Sequence, residues 1–363
     1  MTVCEFCGAE LLSDDEMFEF DGHIMCEDCY DSNTRTCECC GDRIWNDDDC
    51  GDDHITLCSH CRNEHYVSCE DCGRLVHDDD AYYNDDDDYP YCYACYNNSD
   101  GKCIHSYNYK PEPIFHGNGK LYMGVELEID GGGSDESNAR KLYDIANGND
   151  KNMYIKHDGS LNDGMELVTH PMDLEYHIHS MPWKEITEKA VALGYRSHKT
   201  STCGLHVHVS RAAFGSDREK QDAAISRVLF FVERFWQELL KFSRRTEAQI
   251  NRWAARYGMK DNPKQVMTNA KEKSMGRYAC INLCNYSTIE FRIFRGTLKY
   301  NTIIATLQLV ARICTMAADM TDGDVTALSW PEFVSTITEP ELITYLKERR
   351  LYVNEPINEE EDD

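Results

Sequence analysis

Tyr122-Met123-Gly124-Val125-Glu126-Leu127-Glu128-Ile129-Asp130 decides how the larger part of this chain folds. Its period of two places Met123, Val125, Leu127 and Ile129 on one face of a strand, with Glu126, Glu128 and Asp130 on the other. Two carboxylates therefore project side by side. Leu205-His206-Val207-His208-Val209-Ser210 divides in the same way, with both imidazoles and the hydroxyl on one face, and Thr288-Ile289-Glu290-Phe291-Arg292-Ile293 pairs Glu290 with Arg292. Met165-Glu166-Leu167-Val168 and Ile281-Asn282-Leu283 add one polar group each. A half-exposed sheet face is ordinarily polar, so any one of these strands alone predicts only a solvated surface. Together their polar faces hold acids, imidazoles and arginine rather than Thr, Ser, Lys and Gln, the composition of a site for hard cations and phosphate.

Helices separate these strands. Glu219 to Arg245 carries Ala223, Val228, Phe231, Val232, Phe235, Leu239 and Phe242 at helical spacing, a stripe that packs on the apolar side of a sheet. A second helix is expected over Thr302 to Met320, and Thr338-Glu339-Pro340-Glu341 has the form of a capping box ahead of Leu342 to Arg350. The fold class is α+β. Neither G-x4-G-K-[ST] nor a strand-to-helix G-x-G-x-x-G is present, and Gly131-Gly132-Gly133-Ser134 reads as a turn.

The N-terminal third is built differently. Residues 1–105 hold 28 Asp and Glu against 5 Lys and Arg, so most of the formal charge of -28 lies there, as do 15 of the 19 cysteines. Cys4-Glu5-Phe6-Cys7-Gly8, Cys37-Glu38-Cys39-Cys40-Gly41 and Cys69-Glu70-Asp71-Cys72-Gly73 recur at periods of 33 and 32 residues. Each copy has a second pair, Cys26/Cys29, Cys58/Cys61 and Cys92/Cys95, after 18, 17 and 19 intervening residues. This is the spacing of four-thiolate zinc sites, and an ion replaces the apolar core that modules of this length cannot build. A disulfide framework also suits small Cys-rich repeats, but a reducing cytosol and an odd cysteine count oppose it. Closed four-thiolate sites are structural. Cys39 competes with Cys40 for the second site, Cys50 and Cys103 are spare, His23 could displace a thiolate, and pairing across neighbouring repeats stays open.

The expected organisation is three zinc-binding repeats at 1–33, 34–65 and 66–105, a linker over 106–118, a catalytic domain over 119–353 and an acidic tail over 354–363. Phosphate binding needs clustered Lys and Arg, so the acidic balance opposes nucleic acid as main partner. Asp47 to Asp49, Asp78 to Asp80 and Asp85 to Asp88 read as solvated loops or as a surface for a basic protein partner. The longest apolar run is Val228 to Val232, and no basic segment with an apolar stretch opens the chain, so neither a membrane span nor a secretory signal is expected and a cytoplasmic location is.

Five motifs in order, Gly124-Val125-Glu126-Leu127-Glu128, His157-Asp158-Gly159-Ser160-Leu161, Gly164-Met165-Glu166-Leu167-Val168, Cys203-Gly204-Leu205-His206-Val207-His208-Val209-Ser210 and Thr288-Ile289-Glu290-Phe291-Arg292, resemble the amidoligase family over about residues 119 to 320. That family consists of carboxylate-amine ligases of the glutamine synthetase and glutamate-cysteine ligase fold. The resemblance implies a curved antiparallel sheet, helices on its apolar face, and ATP with divalent cations on its concave face. It implies that Glu126 and Glu128 serve two different magnesium ions, Glu166 joining the Glu128 ion and His206 and Glu290 the Glu126 ion. Arg292 would hold the transferring phosphate with help from Arg277 or Arg295, and Asp158, Ser160, His208 and Asn282 would face substrate. An imidazole among carboxylates leaves manganese open beside magnesium. The family's company implies a phage or bacterial origin, hence the host cytoplasm.

The implied activity is an ATP-dependent carbon-nitrogen ligation. ATP converts a carboxylate to an acyl phosphate and an amine displaces phosphate, while the zinc repeats recruit a protein or peptide substrate; a small-molecule carboxylate or amine is the other reactant. Three alternatives use the same residues: a metal-dependent hydrolase, which needs neither the Glu-x-Arg pair nor ATP, a phosphotransferase, and a non-catalytic zinc-finger adaptor with a degenerate ligase domain.

Overall fold

A computed structural model describes residues 2–11, 17–83, 89–97, 103–148, 150–200, 202–272 and 276–352, with the side chains of Asn97, Glu272 and Arg277 excepted. The Asp85 to Asp88 run and the 354–363 tail lie outside the described residues. The chain divides into one unit of Met1–Gly101 with Asn108–Pro111 and another of Lys102–Tyr107 with Glu112–Asp363.

In the first unit each repeat wraps a two-stranded hairpin around its first Cys pair: Thr2–Val3 with Glu10–Leu11, Thr34–Thr36 with Arg43–Trp45, and Tyr66–Ser68 with Leu75–His77. The glycine after each pair takes a left-handed φ of 77°, 79° and 72° at Gly8, Gly41 and Gly73. Its N–H bonds back to the carbonyl of Cys4, Cys37 or Cys69, so one turn is built three times. The second Cys pair opens a short helix, Glu27–Asn33, Ser59–His65 and Tyr93–Asn97. The apolar clusters beneath are small, Cys4, Leu11 and Met25 in one and Cys37, Leu57 and Cys61 in another, far short of an independent core.

The second unit is α+β. Its seven-stranded sheet runs, in spatial order, Ile104–His105, Met153–Lys156, Gly164–Thr169, Met123–Asp130, Gly204–Ser210, Thr288–Arg295 and Ile281–Asn282. Every pairing is antiparallel except the first, where Ile104–His105 lies parallel to Ile155 and Lys156. The sheet is therefore mixed at one edge. It also takes in residues that the sequence reading left with the repeats: Cys103 is buried, and its N–H donates to Glu136 at 2.6 Å. Within the expected linker, His116 pairs with Met172 and the Asn118 N–H bonds Asp173 at 2.9 Å, as does that of Gly119, the next residue, at 2.8 Å.

The alternation read from sequence describes the central strand. Met123, Val125, Leu127 and Ile129 are fully buried, as are Leu205, Val207, Val209, Met165 and Leu167, and all join one core with the helices. Tyr300–Asp319 runs through that core. By length and composition alone it is apolar enough to cross a membrane, but 72% of its apolar window is buried inside the unit. The aromatic helix expected from 219 to 245 is two helices, Arg218–Arg234 and Trp236–Ser243, because Phe235 leaves helical geometry at ψ 35° and packs on Trp330. The helix Pro340–Glu348 starts with proline in its first turn and has no capping box. Thr246, Thr321 and Ser329 make the capping boxes found among the described residues.

Candidate active site and thiolate clusters

The thiolates gather within repeats. Cys4, Cys7, Cys26 and Cys29 place their sulfurs within 4.8 Å of one another, as do Cys37, Cys40, Cys58 and Cys61, and Cys69, Cys72, Cys92 and Cys95. Pairing across repeats is thereby excluded, and Cys40 rather than Cys39 completes the second quartet. His23 stands outside, its Nδ1 on Glu5 at 2.8 Å, while Cys39 and Cys50 are exposed. The first thiol of each quartet is pulled down. The Cys7 amide brings Cys4 to about 6, and at Cys37 burial is outweighed by the Cys40 and Cys58 amides, giving about 6. Cys69 falls to about 5 through the Cys72 thiol. The later thiols move the other way, Cys29 raised by Cys7 and Cys26, and Cys61 by burial and Cys58. Four thiolates so close ionise together only around a cation, and the donor set fits zinc.

In the second unit the strand register lays polar side chains out in rows on one face of the sheet. One row reads Lys156, Glu166 and Glu128, followed by Gly204 and Arg295. The next reads Tyr154, Val168, Glu126 and His206, and a third Gly124, His208, Glu290 and Asn282. Beside His206 the Thr288–Arg295 strand carries an irregularity: Leu205 faces Phe294 while Val207 faces Phe291, so one extra residue is inserted. Strict alternation would send Phe294 to the polar face. The bulge instead puts Phe294 on the apolar side with Phe291, and brings Arg295 opposite Gly204.

Two groups of potential cation ligands result. Glu126, His206 and Glu290 have ligand atoms within 4.8 Å of one another, and so do Glu128, Glu166 and His206. His206 belongs to both, where the sequence reading gave it to one. Its Nδ1 lies 3.4 Å from Glu126 and 3.6 Å from Glu290, its Nε2 3.9 Å from Glu128. His208 Nε2 stands 3.2 Å from Glu126. Asn282 donates to Glu290 at 2.7 Å, and Arg292 bonds the other oxygen of Glu290. The Gly204 N–H donates to Glu128 at 2.5 Å.

Burial makes this array electrostatically tense. Glu166 is held well above the usual carboxylate range by burial and by Glu126, with Lys156 3.2 Å away opposing. Burial likewise raises Glu128 against the pull of His206. At Glu126 burial is outweighed by His208 and His206, and its carboxyl sits well below the usual range. Four carboxylates facing a few cations in a buried face are what hard divalent ions neutralise, and oxygen ligands with one shared imidazole fit magnesium or manganese.

Of the remaining sequence candidates, Asp158 turns its carboxylate onto the Ser160 N–H at 2.6 Å, and its charge is felt by Glu128 and Glu166; neither it nor Ser160 joins a ligand group. Arg295 bonds the Arg244 carbonyl at 3.4 Å. The Arg277 side chain lies outside the described residues. Two groups escaped the sequence reading. Lys156 ends an apolar-polar alternation in Met153-Tyr154-Ile155-Lys156, which was the available signal. Arg245 is buried behind Gly204, and nothing local in the sequence marks it.

Residues 135–314 match the family described as "Putative amidoligase enzyme". The second unit belongs to the amidoligase family. The match takes in Glu166, His206, Glu290 and Arg292 of the amidoligase unit, while Glu126 and Glu128 lie on the strand just before it. No curated protein matches the chain. Among solved structures it is similar to a bifunctional glutathione synthetase from Pasteurella multocida at 12% identity and a TM-score of 0.36, over 63% of this chain. The chain spans 46% of that protein, slightly under half its length.

Proposed function

We propose that the protein is an ATP-dependent ligase of glutamine synthetase-like fold that joins a carboxylate to an amine through an acyl phosphate. The observation that carries this reading is the pair of carboxylate–imidazole groups sharing His206, with Arg292 bonded to Glu290 beside them. Glu126 and Glu290 would hold one Mg²⁺ or Mn²⁺ and Glu128 and Glu166 the other, with His206 between. Bound there, the ions would screen phosphate charge and act as Lewis acids on the transferring phosphoryl. The chain's own residues do the rest. Arg292 Nε is buried without a partner, as is Arg295 Nε, so the end of this one strand offers two desolvated donors to an anionic oxygen. Asn282 fixes the Glu290 carboxylate, and the Gly204 N–H fixes that of Glu128, so both are oriented before substrate arrives.

The thiolate repeats would hold three structural zinc ions and recruit a protein or peptide substrate. Their acidic surface selects a basic partner, and a basic segment rich in lysine brings amines. A reducing cytoplasm, where thiolates stay available to zinc, would suit these repeats.

Calorimetric titration of ATP with Mg²⁺ into the full chain and into Glu126→Gln tests the site without knowledge of the substrate. Binding to the first and at least tenfold weaker binding to the second is expected, followed by ADP release when a carboxylate and an amine are supplied. A folded, zinc-loaded protein that binds no ATP would sink the ligase reading.

A further inference from the structure

In a chain with 65 acidic against 37 basic residues, five cations line a single open groove of about 570 Å³: Lys241, Arg244, Arg245, Arg295 and Arg349. Four of the five donate to backbone carbonyls. Arg245 donates to Phe294 at 3.1 Å, Arg295 to Arg244 at 3.4 Å, Arg349 to Lys241 at 2.9 Å, and Lys241 to Arg350 at 3.2 Å. Among the described residues none of the five makes a carboxylate ion pair within 4.0 Å. Arg245 also feels the Glu128 carboxylate, while carbonyl dipoles orient the others, and five cations in one groove make a positive patch in a unit whose charges otherwise nearly balance.

The groove leads to the amidoligase array. A Cβ built on Gly204 would lie 2.4 Å from His206 Nε2 and 2.6 Å from an Arg245 terminal nitrogen, so those two groups flank one point, within about 5 Å of each other. Arg245 therefore lines the groove on one side and borders the His206 cluster on the other, while Arg295 lines it from the row that holds Glu128. The remaining lining, Gln237 and Leu240, offers no ring on which a nucleotide base would stack.

We propose that this groove binds the anionic portion of the carboxylate substrate, a peptide carrying several Asp or Glu side chains, and delivers one of its carboxylates to the array. The inference rests on the ligase reading and narrows it: the acid partner is polyanionic, while the acidic repeats suit a basic amine partner. Arginine forks match carboxylates bidentately, and the exposed Lys241 and Arg244 at the groove's mouth extend the charge beyond the reacting group.

The test uses the full chain and a fluorescein-labelled hexaglutamate peptide followed by anisotropy, with hexaglutamine as control and no ATP present. Saturable, salt-sensitive binding of hexaglutamate and none of hexaglutamine is expected. The double variant Lys241→Glu with Arg244→Asn, the asparagine tolerating the left-handed backbone at φ 61°, should bind about tenfold or more weakly with an unchanged unfolding midpoint. Lys241→Glu alone should show part of the loss. Absence of binding to the native protein, or equal affinity in the variants, overturns the proposal. So does competitive displacement by ATP with Mg²⁺, which would make the groove a triphosphate site. Because the peptide is titrated without nucleotide, groove binding without ADP release would instead count against the ligase reading alone.

Discussion

Gly204→Ala isolates geometry from charge, since it leaves every carboxylate, imidazole and arginine in place. Its Cβ would stand 2.4 Å from His206 Nε2 and 2.6 Å from Arg245, where ordinary contact begins near 3.4 Å, so both groups must retreat by about 1 Å. Neither yields cheaply. The His206 ring is 4% exposed and wedged among Glu126, Glu128 and Glu290, and Arg245 is tied to the Phe294 carbonyl. Overpacking of this kind costs about 1–3 kcal/mol, part of which is offset by Ala restricting the unfolded chain, and each kcal/mol lowers the midpoint of a unit this size by about 2–4 °C. The larger effect falls on function, because His206 is shared by both ligand groups and displacing it spoils two sites at once. A misplacement of about 1 Å costs on the order of 10²-fold in rate. Calorimetry with Mn²⁺ and with ATP and Mg²⁺, alongside differential scanning, separates the two effects. Native-like cation and nucleotide affinity in a folded Gly204→Ala protein would refute the claim that His206 binds the two groups together.

Native mass spectrometry should find three zinc ions on the full chain, and Cys37→Ser should lose one of them while the amidoligase unit keeps its unfolding transition; retention of all three would mean that Cys39 substitutes. His177 gives a pH signature away from the site. Burial lowers it to about 4, its Nε2 donates to the Met123 carbonyl at 3.0 Å, and its Nδ1 accepts from Trp183 at 3.3 Å. The folded imidazole is neutral and the unfolded one takes a proton first, so this stability is complete above about pH 6.5 and is lost as pH falls toward 4, about 3 kcal/mol in all. Denaturant titrations at both pH values should show a shallower acid loss in His177→Gln than in the native protein, and parallel losses would count against it.

Much of this was legible in the sequence because the signals were periodic. Period two in Met123 to Asp130 and in Leu205 to Ser210 marked buried and polar faces correctly, since a half-buried strand has one way to hide four aliphatic side chains. The Cys quartets were legible for a similar reason: a thiolate ion site has few workable spacings, and two pairs at nearly constant separation leave little else. The edges were less readable. Ile104–His105 is too short to announce itself, and a two-residue strand acquires meaning only from the Ile155 and Lys156 backbone beside it. Phe235 carried no mark of its break, because the same aromatic stripe serves one long helix or two short ones packed on one core.

The site itself shows what alternation cannot carry. Ile293 and Phe294 are consecutive apolar residues in an otherwise alternating strand, the only trace that the sequence leaves of the bulge. Without that extra residue Arg295 would point into the core and Phe294 into the carboxylate array. With it, two arginines three residues apart reach the same polar face, Arg292 against Glu290 and Arg295 opposite Gly204. The missing side chain at Gly204 then leaves space for Arg245 and the shared imidazole to flank one point. Bulge, glycine and buried arginine are thus one arrangement contributed by three distant segments. Each is unremarkable in its own stretch of sequence, and only the register across the sheet makes them a site.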